Sequence, residues 1–177
     1  MTGVQTCALP ISPTCVDCLE AASDAKKAWF AAWPENKEYF EFIKYQVEQV
    51  GFLTQHKSQR VRGKITVSSA ANSYFQGLAA DCSKAALVEV CKAQYNDSSS
   101  VLYGSRTICF AHDELIGECN IDRGHEVATE VAATMVRVGR EWIPDVLVAA
   151  EPTLMFQWDK KANLVRDSDG RIQPWRK

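Results

Sequence analysis

The sequence has no apolar run of membrane-spanning length, so it predicts no transmembrane segment and no membrane partner. It has little net charge: the formal value is −2 at pH 7, which argues against a generally basic nucleic-acid coat and leaves only a local basic patch. A disulfide framework is missing too. The seven cysteines (Cys7, Cys15, Cys18, Cys82, Cys91, Cys109 and Cys119) are odd in number and scattered through helical and strand-like patterns. That arrangement fits a reducing cytoplasm and small core hydrophobes. Cys15-Val16-Asp17-Cys18 is a lone CxxC, and no second CxxC or HxxxH supplies the other two ligands of a structural zinc site. No internal repeat is present. What is there is ordinary for a globular chain: 177 residues, 46% hydrophobic and 24% charged. That suffices for one core, and for one domain or part of one.

Residues 1–12 resemble a weak signal peptide without a basic n-region or a proper h-region. They resemble more closely the translated read-through of a sequencing adapter. They are expected to pack poorly and to be non-native, with the genuine reading frame beginning near Pro13 and an upstream part missing.

The pattern that follows predicts a helix over residues 20–33 that Pro34 breaks, with Pro34 at an early position of the next helix, where its missing N–H costs little. Tyr39, Phe40, Ile43, Val47 and Val50 stripe that second helix, and Gly51 is its expected C′ residue. A basic β-hairpin over 52–67 turns near Lys57-Ser58-Gln59. A third helix over 70–93 puts Ala71, Phe75, Leu78, Cys82, Ala85 and Ala86 on its apolar face. Strands over 107–111 and 115–119 flank a polar tip. Asp122 is the expected N-cap of a fourth helix, striped by Val127, Val131, Met135, Val138 and Trp142. A strand over 146–150, a short one over 154–158 and a polar tail from 161 complete the chain. The order favours α+β, an antiparallel sheet covered on one face by helices.

Two polar motifs carry chemistry. At the hairpin tip, His112, Asp113 and Glu114 stand between apolar strands, and acidic side chains concentrated there suit a hard divalent cation. Their bland alternative is an ordinary acidic turn. Mg²⁺ takes one or two carboxylates plus substrate phosphates, so Asp113 needs a partner from elsewhere. On the third helix, Asn72 and Gln76 lie one turn apart. They either decorate a solvated face or donate to minor-groove acceptors, which stand at equivalent places for all base pairs. Lys57, Arg60, Arg62 and Lys64 form either a solvated ribbon or a phosphate grip. His125 reads as surface, and Trp29, Trp33, Trp142, Trp158 and Trp175 as core or edge packing.

In this order, Arg62-Gly63 through Asn72-Ser-Tyr-Phe-Gln76-Gly-Leu-Ala-Ala-Asp81-Cys-Ser-Lys84, followed by Phe110-Ala-His112-Asp113-Glu114, resembles the C-terminal half of family A DNA polymerases, most closely the phage or prophage branch. Ala28-Trp29-Phe30, Trp33-Pro34 and Tyr39-Phe40 resemble the family's return from fingers to palm, and Trp142-Ile143-Pro144-Asp145-Val146 through Trp158 its terminal helix and strand. The resemblance implies fingers-to-palm return helices and the basic hairpin over 13–66 and a partial palm over 67–160. It implies that Asp113, supported by Glu114, binds the catalytic metals, two Mg²⁺ in the complete enzyme, and that His112 lies against the primer terminus. It places Asn72 and Gln76 on template and primer. The implied reaction is attack of a primer 3′-OH on a nucleotide α-phosphate. Primer–template DNA and dNTP would be the partners of a monomeric full-length protein, in the cytoplasm of a bacterium or phage-infected host.

The departures bear on activity. Ser68 stands where many members have arginine, and the sequence holds neither the family's Asp-Tyr-Ser-x-x-Glu motif nor its fingers helix. The 177-residue chain is therefore expected to be a fragment that does not extend a primer by itself. Two alternatives stand beside it: a non-catalytic DNA-binding module derived from the palm, and a small zinc-bound interaction domain around Cys15 and Cys18.

Overall fold

A computed structural model describes residues 16–176. Residues 1–12 and Cys15 lie outside them, and with them the expectation of poor packing and the zinc reading. The element order is α1 (Val16–Ala32), α2 (Glu35–Tyr45) with a π-helical turn (Gln46–Val50), β1 (Phe52–Thr54), β2 (Val61–Gly63), α3 (Val67–Tyr95), β3 (Arg106–Ala111), β4 (Glu114–Glu118), a 3-10 turn (Ile121–Arg123), α4 (Gly124–Trp142), β5 (Leu154–Met155), β6 (Val165–Arg166) and β7 (Ile172–Trp175). The described chain is α+β. Its strands form three small sheets rather than one: β1-β2, β3-β4 and β5-β7-β6. The pairings of β3 with β4 and of β6 with β7 are antiparallel, and that of β5 with β7 is parallel.

The described residues divide into two compact units. One holds the chain up to Leu53 together with Arg62–Ala71. In it Trp29 and Phe30 of α1 meet Phe40 of α2 with ring centroids 6.3 and 6.0 Å away. Tyr39 Oη donates to the Ala71 carbonyl at 2.6 Å, which ties α2 to the first turn of α3. Gly51 takes φ +83 and its N–H bonds the Gln46 carbonyl, closing the π turn as the sequence predicts for a C′ glycine.

The other unit holds Thr54–Val61 and the described residues from Asn72 on. Val90, Leu102 and Val127 are buried together, with Leu115, Cys119 and Val131 packed around them. The expected α4 stripe is present: Val127 and Val138 are buried, and Val131, Met135 and Trp142 are half-buried. Along α3 the buried positions differ from the expected face. Phe75 is 64% exposed, whereas Ser73, Asp81 and Gln94 are buried beside Ala86 and Val90. Each of these polar residues has a partner or a packing neighbour that no helical periodicity encodes. The Ser73 carbonyl accepts from Gln55 Nε2 at 2.7 Å. Asp81 pairs with Arg60 at 3.1 Å and accepts from Ser58 Oγ at 2.5 Å.

Gly77 makes room for this arrangement, because a Cβ there would lie 2.0 Å from Gln55 Nε2. Gln55 is itself buried and held by Ser73, so it cannot swing away without losing that bond. Gly77→Ala is therefore expected to destabilise the protein by about 1–2 kcal/mol. In a Gln55→Ala background the sign reverses, because the clash is gone and alanine gains roughly 0.8–1 kcal/mol of helix propensity over glycine. Urea titrations of the four variants measure this; equal effects of Gly77→Ala in both backgrounds would contradict the contact.

Three expectations are corrected. Asp122 does not cap α4, whose N-cap position is Arg123 with no side-chain cap bond; Asn120 instead caps the 3-10 turn before it, its side chain accepting from the Asp122 N–H at 3.0 Å. Residues 146–150 form no strand. Val148 instead lies over α4, where a Cβ on Gly139 would come within 2.5 Å of its Cγ1. The run thus packs a half-buried valine on a helix rather than pairing its backbone in a strand. The polar C-terminal segment is not a plain tail either. Gly170 turns at φ +77 and β6 and β7 pair across it.

Candidate functional site

The β3–β4 hairpin closes in two residues, His112 and Asp113, with Ala111 paired to Glu114. His112 has φ +59, and among the described residues Asp113 is not one with positive φ. Positive φ at the first central position alone is the II′ pattern, which prefers glycine there. Histidine in the left-handed region costs roughly 1–2 kcal/mol. His112, Asp113 and Glu114 are all exposed, so the turn raises all three polar groups into solvent together. Farther down, the register shifts between Thr107 and Cys109, leaving Ile108 as an extra residue on β3; such bulges bend and re-aim a strand. Opposite it, Gly117 is required by close approach, since a Cβ would sit 2.8 Å from the Arg106 carbonyl oxygen.

The hairpin is anchored at its base by Gln94, near the end of α3. Its Oε1 accepts from Thr107 N–H at 3.1 Å and from Thr107 Oγ1 at 2.9 Å. Its Nε2 lies 3.2 Å from Ser105 Oγ, which donates to the Leu102 carbonyl. Gln94 is 3% exposed. This buried amide is the positioning residue that sequence reading passed over; its only sequence signal is a lone amide near the end of a helix.

On α3, Asn72 and Gln76 are both exposed, which a solvated face and a groove-reading face share. The four basic residues are exposed as well, but they are not equivalent. Lys57 Nζ donates to the Glu141 carbonyl in the last turn of α4 and lies 5.7 Å from the Trp142 ring centroid, a favourable place for a cation. Arg60 holds Asp81 and also reaches the Gly77 carbonyl at 3.3 Å. Both therefore have work inside the fold. Arg62 and Lys64 belong to the other unit, where Lys64 takes φ +53.

Asp113 and Glu114 offer hard oxygen donors, the type Mg²⁺ takes together with substrate phosphates. They fit part of such a site. Among the described residues no group of three or more His, Cys, Asp or Glu is placed to hold a metal ion. Of the thiols, Cys82 and Cys119 are pushed up by burial, against the smaller opposing effects of Lys57 and Arg123, which makes them poor nucleophiles. No helix among the described residues is long and apolar enough to cross a membrane.

His125 is half-buried rather than surface: its Nδ1 accepts the Ile172 N–H at 2.9 Å. Beside it Arg171 pairs with Glu126 at 2.6 Å. The Arg171 hydrogen bond, first of several causes, holds the Glu126 carboxyl below its ordinary 4.5. The Arg171 backbone N–H, with lesser help from Gln173 and Asp169, holds Asp167 below 3.8. Depressed carboxyls contribute stability above their unfolded values and lose it as pH falls through the folded ones. Amide exchange at Ile172 and Gln173, corrected for intrinsic rates, should therefore be slow above about pH 5 and accelerate below about pH 4. Arg171→Ala should flatten that rise; a wild-type profile without it would contradict the docking described.

Compared with family models, with curated proteins and with solved structures, the chain matches none.

Proposed function

We propose that this chain supplies the metal-bearing hairpin and the DNA-facing helix of a DNA-directed DNA polymerase of the family A kind. One observation carries the reading: a strained two-residue turn lifts His112, Asp113 and Glu114 into solvent at the end of a hairpin whose base is anchored by a buried amide. Strain of this kind concentrates at functional sites, and an anchored hairpin holds its tip in a fixed place. Asp113, with Glu114 in support, would hold Mg²⁺. When bound, the two ions of the complete enzyme supply activation of the primer 3′-OH and neutralisation of the departing pyrophosphate. Asn72 and Gln76 donate to minor-groove acceptors without choosing a sequence. His112 lies against the primer terminus; Arg62 and Lys64, in the other unit, are separate candidates for phosphate contacts. Lys57 and Arg60 serve first as internal anchors for the basic hairpin.

The test is binding of the 177-residue chain to primer–template DNA, read by fluorescence anisotropy at fixed salt. Asn72→Ala with Gln76→Ala should weaken it about thirtyfold or more whatever the sequence of the duplex, each of the two groove contacts being worth about 1 kcal/mol or more. An unchanged affinity removes α3 from the DNA surface. DNA binding that persists while Asp113→Asn leaves metal binding unaltered favours instead a non-catalytic DNA-binding module.

A further inference from the structure

We propose that the cleft where β7 meets the start of α4 binds an aromatic phosphate of mononucleotide size. The cleft encloses about 240 Å³ and is lined in part by Asp122, His125, Phe156, Arg171 and Arg176. That volume lies below the ~300–1,000 Å³ of drug-sized pockets, so the occupant is small. Two guanidinium groups face it against one carboxylate. Arg171 is fixed by its bond to Glu126 Oε1, which uses one of its N–H groups and leaves the rest. Because His125 Nδ1 accepts from Ile172, the neutral imidazole carries its proton on Nε2 and is a donor there. Fixed donors of this kind suit a phosphate.

The apolar side of the cleft is equally specific. Phe156 is 61% exposed, and the Arg176 guanidinium lies 5.4 Å from its ring centroid. The guanidinium lies over the ring, so the exposed Phe156–Arg176 stack offers the outer face of either member to a base of any kind. Asp122 adds an acceptor for an exocyclic amino group. The proposal is independent of the hairpin reading, and its test reads binding rather than nucleotide transfer.

Isothermal titration of the full chain compares adenosine 5′-monophosphate, adenosine, inorganic phosphate and a short single-stranded oligonucleotide. Saturable binding of the monophosphate is expected, with adenosine and phosphate each at least about tenfold weaker, since stacking and phosphate contacts contribute jointly. Arg176→Ala and Phe156→Ala should each weaken it about tenfold, and Arg176→Lys, which keeps charge but loses the plane, should weaken it as well. Circular dichroism confirms that these exposed-residue variants remain folded. An oligonucleotide that competes with the monophosphate identifies a nucleic-acid strand as the source, and failure to compete identifies the free nucleotide; either keeps the site. Absence of saturable monophosphate binding, or binding indifferent to both Arg176→Ala and Phe156→Ala, overturns it.

Discussion

Replacing Gln94 with leucine should lower the stability of the chain by about 2–4 kcal/mol, the largest effect expected of any single substitution away from the hairpin tip. Leucine fills similar space but accepts nothing. The Thr107 N–H, now bonded at 3.1 Å, would be left unsatisfied under the hairpin, and an unsatisfied donor of this kind costs about 1–3 kcal/mol. Thr107 Oγ1 loses its acceptor at 2.9 Å and Ser105 its amide neighbour at 3.2 Å. Thermal unfolding should shift down by roughly 5–15 °C for a chain of this size. Thr107→Val, which removes only the hydroxyl, should cost about 1 kcal/mol in the wild type and close to nothing in Gln94→Leu. Additive costs in that cycle would show that Gln94 does not hold the hairpin. The consequence reaches the tip, because the strand that Gln94 fixes leads directly to His112.

The β3–β4 hairpin was legible because apolar strands flank a short polar turn, and the α4 stripe because its valines recur at helical spacing. Gly51 was legible as a cap for the same local reason. The buried face of α3 was not, because its polar members are satisfied from outside the helix. Gln55 donates to the Ser73 main-chain carbonyl, Ser58 and Arg60 reach the Asp81 carboxylate, and the Gln94 amide accepts from Thr107 and donates to Ser105. Periodicity counts apolar residues, so it placed Phe75 in a core where the structure puts Ser73. The basic hairpin shows the same limit. Lys57 and Arg60 read in sequence as a solvated ribbon or a phosphate grip, and their partners in the fold, the Glu141 carbonyl and Asp81, lie 84 and 21 positions along the chain, beyond what the local pattern encodes. The valine-rich run 146–150 reads as a strand, and only the gap over Gly139 shows why Val148 packs on a helix instead. The polar tip itself was visible in His112-Asp113-Glu114. Its left-handed turn was not, since histidine there disobeys the glycine preference.

The second large effect concerns Asp113. Asparagine has the same shape and suits the same turn position, so Asp113→Asn should leave the fold intact while removing the charge that a hard cation needs. In the proposed site Glu114, the first residue of β4, would support from beside it, so Glu114→Gln should weaken metal binding less. Mn²⁺ takes the same oxygen ligands as Mg²⁺ and broadens the NMR signals of nuclei near it. The decisive measurement is the amide spectrum of the isotope-labelled chain with primer–template DNA and dNTP, titrated with substoichiometric Mn²⁺. Broadening centred on residues 111–115, with an affinity that falls by about tenfold or more in Asp113→Asn, is the predicted result. Signals at the hairpin tip that stay sharp, or broadening that Asp113→Asn leaves unchanged, would contradict the assignment of this hairpin as a metal-bearing element.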